Sequence, residues 1–200
     1  MTMQTTLKTR IATALLAAAM TGTASAAMVT YDIDPNHTYP SFEADHMGVS
    51  IWRGKLDHTT GKVTLDKAAG KGDVDISIDL ASIDFGQDEL DAWAKSDKFF
   101  DTAKFAQATY KGKLAGFAKG VPSKVVGDLS FHGIKRPVEI KINSFKCIPH
   151  PMLKREMCGA DALATFNRED FGLTAGKDYG FNMSVTLRIQ VEAIASEKQP

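Results

Sequence analysis

The stretch CIPHPMLKREMC, from Cys147 to Cys158, holds both cysteines of the chain, with one histidine and two methionines between them. Three chemistries fit these residue types. Cys147, His150, Met152, Met157 and Cys158 are soft donors and form a conceivable copper set. The two thiols could instead act as a reactive dithiol, or pair as a disulfide closing a loop of about twelve residues. There is no C-x-x-C, and His150 stands between Pro149 and Pro151. Prolines suit an ordered surface excursion, since they are poor members of a central strand. In an oxidising compartment the cysteines are expected to pair, a bridge worth ~3 kcal/mol on the loop-entropy model. The compartment therefore decides, and the staple is favoured if the chain is exported.

The N-terminus speaks for export. Lys8 and Arg10 precede the apolar run IATALLAAAM, and Ala24 and Ala26 supply the small residues after which a signal peptidase cuts. The run is well short of the ~20 residues that span a bilayer. The expectation is a cleaved signal peptide over 1–26 and one mature domain over 27–200, exported to the periplasm of a Gram-negative cell. The whole chain carries 24 basic and 24 acidic residues. Loss of Lys8 and Arg10 leaves a near-neutral protein without a basic block, which argues against a nucleic-acid partner.

Other reactive residues suggest less. His37, His58 and His132 lie in turn-like contexts (PNHT, DHTTG, FHG). His46 shares strand parity with Phe42, so an inward imidazole there would need a partner. No G-x-S-x-G, H-E-x-x-H or phosphate-binding glycine loop is present, and no residue is nominated as catalytic. DVDISID resembles a calcium loop only at first sight. Its carboxylates alternate with Val and Ile, as on the wet face of a strand.

Strands must position whatever these residues do. YGFNMSVTLRIQVEA puts Tyr179, Phe181, Met183, Val185, Leu187, Ile189 and Val191 on one parity. VDISIDL does the same with Val74, Ile76, Ile78 and Leu80, and RPVEIKI with Val138, Ile140 and Ile142. SFEADH places Phe42, Ala44 and His46 together. LATF sets Ala164 and Phe166 against Leu163, which leaves its inward face open. SFHGIKRPVEI reads as a hairpin turning at Gly133. One short helix is expected within SIDFGQDELDAWAKSDKFF, acidic early and lysine-rich late, with Leu90, Trp93 and Ala94 as its apolar stripe. Long strands with one apolar face bury it by closing or by stacking. The expected fold class is all-β, an antiparallel barrel of about eight strands with one short helix; a sandwich is the alternative. A barrel of that size holds side chains or one small ligand.

The apolar interior is the best candidate site. Phe42, Trp93, Phe131, Phe166 and Phe181 lie on buried parities or on the helix stripe. Trp52, Phe99, Phe100, Phe105 and Phe171 lie nearby in sequence. Together with Ala44, His46 and Met183, most of these make up the candidate cavity set: Phe42, Ala44, His46, Trp52, Trp93, Phe99, Phe131, Phe166, Phe171, Phe181 and Met183. Filling a core is the plain role for such residues; an apolar guest is the functional one.

The chain resembles the YceI-like family of periplasmic lipid- and polyisoprenoid-binding proteins. The resemblance rests on an ordered set from about Tyr31 to Ala193: YDIDPNHTYPSFEADHMG, GKLDHTTGKVTLD, IDLASID, KSDKFFDTAKFAQATYKGKL, VVGDLSFHGIKRPVEIKI, FNREDFGL and VTLRIQVEA. It implies a lipocalin-like barrel closed around an elongated apolar pocket, a bound isoprenoid, quinone-like lipid or fatty amide, and no enzyme activity. It permits a redox role beside a membrane b-type cytochrome, as a monomer or homodimer. Relatives with a cysteine pair flanking a Pro-rich loop before CGADA support the Cys147–Cys158 disulfide. The family's Arg-Asp-x-His-Leu signature after SID is here Leu90-Asp91-Ala92-Trp93-Ala94, so two polar positions have become apolar.

Overall fold

A computed structural model describes residues 28–197; the signal peptide read at 1–26 lies outside the described residues. The strands are β1 (Val29–Ile33), β2 (Ser41–His46), β3 (Ser50–Leu56), β4 (Thr59–Asp66), β5 (Lys71–Asp79) and β6 (Ile83–Asp84). After helix α1 (Asp88–Lys95) come β7 (Gln107–Ala115), β8 (Lys124–Phe131), β9 (Ile134–Pro149), β10 (Glu156–Asn167) and β11 (Ser184–Ala195). Eight of them close a ring in the order β1-β4-β5-β7-β8-β9-β10-β11, with β1 pairing back onto β11. The fold is the closed antiparallel barrel rather than the sandwich.

Strand β11 is shared between two neighbours on one edge. Near its C-terminus Ala193 and Ala195 face Ile33 and Tyr31 of β1. Near its N-terminus Val185 to Arg188 face Ala44 to Ser41 of β2. Strands β2, β3 and β6 thus form a leaf that continues the wall at one end of the ring.

The alternation of β5 explains its place. Val74, Ile76 and Ile78 point inward, while Asp75 and Asp73 on the wet face meet Lys111 at 2.8 Å and Lys113 at 2.7 Å on β7. Those carboxylates pair with lysines across a ladder, not around a cation. The β8–β9 hairpin turns on His132 and Gly133, both left-handed at φ 50° and 74°, the geometry of a tight two-residue turn. Pro137 sits inside β9 opposite Asp128, but there β9 has only β8 beside it, because pairing with β10 begins at Lys141. The proline therefore withdraws no hydrogen bond from a second neighbour.

Two expectations are shortened. The alternation from Tyr179 to Met183 is not strand; Lys177–Tyr179 is a 3-10 turn between Gly176 and Gly180, both left-handed, and β11 starts at Ser184. The helix spans eight residues only. The Gln87 side chain caps it, Asp88, Glu89 and Asp91 fill its first turn, and Lys95 its last, matching the dipole. Asp91 also accepts a bond from the Phe85 amide at 2.7 Å, which ties the helix to the leaf.

Cys147 and Cys158 face each other across β9 and β10 and form a disulfide. Both sulfurs are thereby removed from any copper set. His150 is engaged too: its Nδ1 accepts the amides of Met152 and Leu153 at 3.2 and 3.1 Å, which shapes the loop.

Candidate functional site: two apolar cavities end to end

The barrel contains two cavities that share Leu187 as a common wall. The inner one, about 170 Å³, lies between the ring strands. The outer one, about 270 Å³, lies where the leaf, α1 and the β10–β11 connection cover the ring's end. Each alone is small for a ligand site; end to end they reach the usual range of roughly 300–1,000 Å³.

Aliphatic side chains line the inner cavity, all from strands: Val63 and Leu65 of β4, Val74 and Ile76 of β5, Val138 and Ile140 of β9, Ile189 and Val191 of β11. Its polar groups are nearly all satisfied. The Tyr110 hydroxyl donates to the Val138 carbonyl at 2.8 Å, and Thr38 Oγ1 donates to the Glu192 carbonyl at 3.1 Å. Thr59 Oγ1 is the exception, the one buried side-chain polar atom without a partner among the described residues. Burial pushes the Tyr31 and Tyr110 phenols up to about 12; Glu156 adds to this at Tyr31, Asp128 and Glu139 at Tyr110.

The outer cavity is aromatic. On one side Trp93 of α1 stacks on Phe99 at 4.8 Å, Phe99 on Phe100 at 4.8 Å, and Phe100 meets Phe131 edge-on at 5.3 Å. On the other side Phe42 meets Phe85 at 5.2 Å, and Trp52 and Phe181 close the mouth with centroids 6.4 Å apart. Gly176 permits this arrangement. At φ 83° it is left-handed, and a Cβ there would lie 2.7 Å from the Phe181 ring.

Of the eleven residues nominated from sequence, Phe42, Ala44, Trp52, Trp93, Phe99, Phe131, Phe166 and Phe181 line the outer cavity. Three do not. His46 stacks on Trp52 at 4.1 Å and meets the Phe181 edge at 4.9 Å, so it backs the rim instead of facing inward. Phe171, 1% exposed, packs behind Phe131 and Phe166. Met183 is buried but precedes β11, off the cavity wall. The residues that replace the family's polar pair, Leu90 and Trp93, both line the cavity.

Sequence reasoning passed over Leu56, Phe85 and, above all, Arg168. Arg168 opens the 3-10 turn Arg168–Phe171, is 7% exposed and lines the outer cavity. It donates to the carbonyls of Leu173 at 2.7 Å and Ala175 at 2.5 Å and lies 5.6 Å from the Phe99 ring centre. Desolvation lowers its pKa from the ordinary arginine range. Its position in REDFGL was visible, but a lone arginine after a strand carries no sign of burial. The outer cavity's other charged wall residue, Asp45, accepts the amides of Gly48 at 3.0 Å and Asn182 at 3.1 Å.

Comparison with known proteins fits this geometry. Residues 31–193 match the YceI-like domain. A UPF0312 protein of Pseudomonas fluorescens is 30% identical over 164 residues, 82% of this chain and 83% of its own. That of Shewanella denitrificans is 31% identical over 121 residues, 60% of this chain; the match spans only 63% of that relative's length. Among solved structures, the YCEI protein of Campylobacter jejuni superposes with TM-score 0.64 at 21% identity, over 76% of this chain and 90% of that one. A polyisoprenoid binding domain from Saccharophagus degradans gives 0.61 at 18% identity, over 84% and 99%. At such identities the structural likeness is one of fold, whereas the domain match covers most of the sequence: the chain belongs to the YceI-like family.

Proposed function

We propose that this protein is a periplasmic carrier or sequestering protein that holds one long apolar lipid, of isoprenoid, quinone-tail or fatty-amide type, along the axis of the two cavities, without catalysis. The observation that carries this reading is the pair of end-to-end apolar cavities, whose walls include, among the described residues, only two charged side chains, Asp45 and Arg168. A long chain gains about 0.8 kcal/mol per CH₂ on leaving water, so such a tube binds tightly without many polar contacts. The family, and the Saccharophagus domain's description as polyisoprenoid binding, support the same class of guest. The export reading rests on residues 1–26; an intact mass of the periplasmic protein beginning at Ala27 would support it, and retention of the segment would contradict it.

The test is organic extraction of gently purified protein followed by mass spectrometry. A stoichiometric isoprenoid, quinone or fatty lipid is expected. Phe181→Asp, at the mouth, should abolish retention while shifting the melting temperature little, because Phe181 lies outside the ring strands. Unchanged retention in the folded variant would count strongly against the reading.

A further inference from the structure

Arg168 does not look like a structural arginine alone. It is a cation buried in an aromatic cavity, and among the described residues no carboxylate lies within 4.0 Å of its nitrogens. Its neighbour Glu169 is taken by Lys177. A charge removed from water is costly unless paired, and two carbonyl bonds compensate only part of that cost. An arginine also carries more N–H donors than the bonds to Leu173 and Ala175 use. Asp45, on the same cavity, is already held by two backbone amides and lies beyond ion-pair distance from Arg168.

We propose that Arg168 is the head-group contact of the outer cavity, and that the cavity takes a single-chain lipid whose head is an anionic acceptor, a carboxylate or a phosphate, docked against the guanidinium. This rests on the lipid-binding reading, narrows its guest to a chain with an anionic head in place of a quinone or an amide, and adds the orientation: head at the leaf-and-helix end, chain past Leu187 into the inner cavity. The apolar Leu90 and Trp93 then cover the sides of the head region, and one cation neutralises one negative group. A guest of this kind completes the buried cation's pairing, and the low-polarity surroundings strengthen the contact.

The experiment uses delipidated protein and a chain-matched trio: hexadecanoate, hexadecyl phosphate and hexadecanol. Binding is followed by the emission of Trp52 and Trp93, both on the cavity wall. In the wild type the acid or the phosphate should bind about tenfold to a hundredfold more tightly than the alcohol, the size of a charge-assisted hydrogen bond. The tighter of the two names the head chemistry. In Arg168→Met, with folding checked by near-ultraviolet circular dichroism, the preference for the anion over the alcohol should fall to about onefold. An alcohol bound as tightly as both anions by the wild type overturns the head-group assignment and leaves the lipid reading standing. Failure of all three to bind overturns the lipid reading and the assignment with it. If Arg168→Met does not fold, the wild-type trio still decides.

Discussion

The two cavities are built by different means. The inner one belongs to the ring: its walls are the inward parity of strands hydrogen-bonded on both sides, and its side chains are mainly branched aliphatics. The outer one lies where the leaf, α1 and loops cover the ring's end, and its walls are aromatic rings packed both face to face and edge to face. The first is held by a ladder that closes on itself, the second by aromatic packing with a single buried cation. The difference separates two kinds of wall. The ring provides aliphatic length, while the end provides aromatic shape and both charged wall residues, Asp45 and Arg168.

The largest effect should come from the floor of the outer cavity. Phe131, 8% exposed, joins the Phe99–Phe100 stack to Phe166 and Phe171. Phe131→Ala should cost about 3–5 kcal/mol in urea denaturation. A loss below ~1 kcal/mol would mean that the aromatic end adds little to folding and would sharpen the contrast further.

The inner cavity should fail in alkali. Tyr31 and Tyr110, both raised to about 12, keep their protons in the folded state, while the unfolded chain ionises near the ordinary value of 10.0. The folded state binds more protons in that window, so stability is fully present below pH 10 and falls between about 10 and 12. The loss should be on the order of 2 kcal/mol by about pH 11. Denaturation curves at pH 9 and 11 that coincide would contradict it.

The smallest effect has the opposite sign. Thr59→Val keeps the shape and removes the unpartnered hydroxyl of the inner wall. It should raise stability by ~1 kcal/mol in the delipidated protein, measured by denaturant midpoint. A decrease would show that the hydroxyl is satisfied within the cavity, and the inner tube would no longer count as purely apolar.

The inner wall was legible because period-two alternation survives wherever a strand has one wet and one dry face. Val74, Ile76, Val138, Ile140, Leu187 and Ile189 could be assigned inward from parity alone. That an empty volume lies between them could not, since parity fixes direction and not distance. At the outer end parity misled. Alternation ran on through Tyr179 and Met183, where Gly176 and Gly180 turn the chain left-handed and end the strand. His46 kept its parity, but a strand in the leaf that faces Trp52 and Phe181 has neighbours that the ring does not supply. Arg168 was illegible for a further reason: its carbonyl partners come from the loop that follows, and no spacing rule marks it as buried.

Strand β11 gives one edge to β1 and, further along, the same edge to β2. Closure of the ring depends on the first pairing alone, so the leaf is an attachment to a barrel that is already complete. Substitutions in β2, β3 and β6 can therefore reshape the mouth without reopening the seam. The mouth can thus vary through the strands of the leaf while the β1–β11 seam that closes the ring is left untouched.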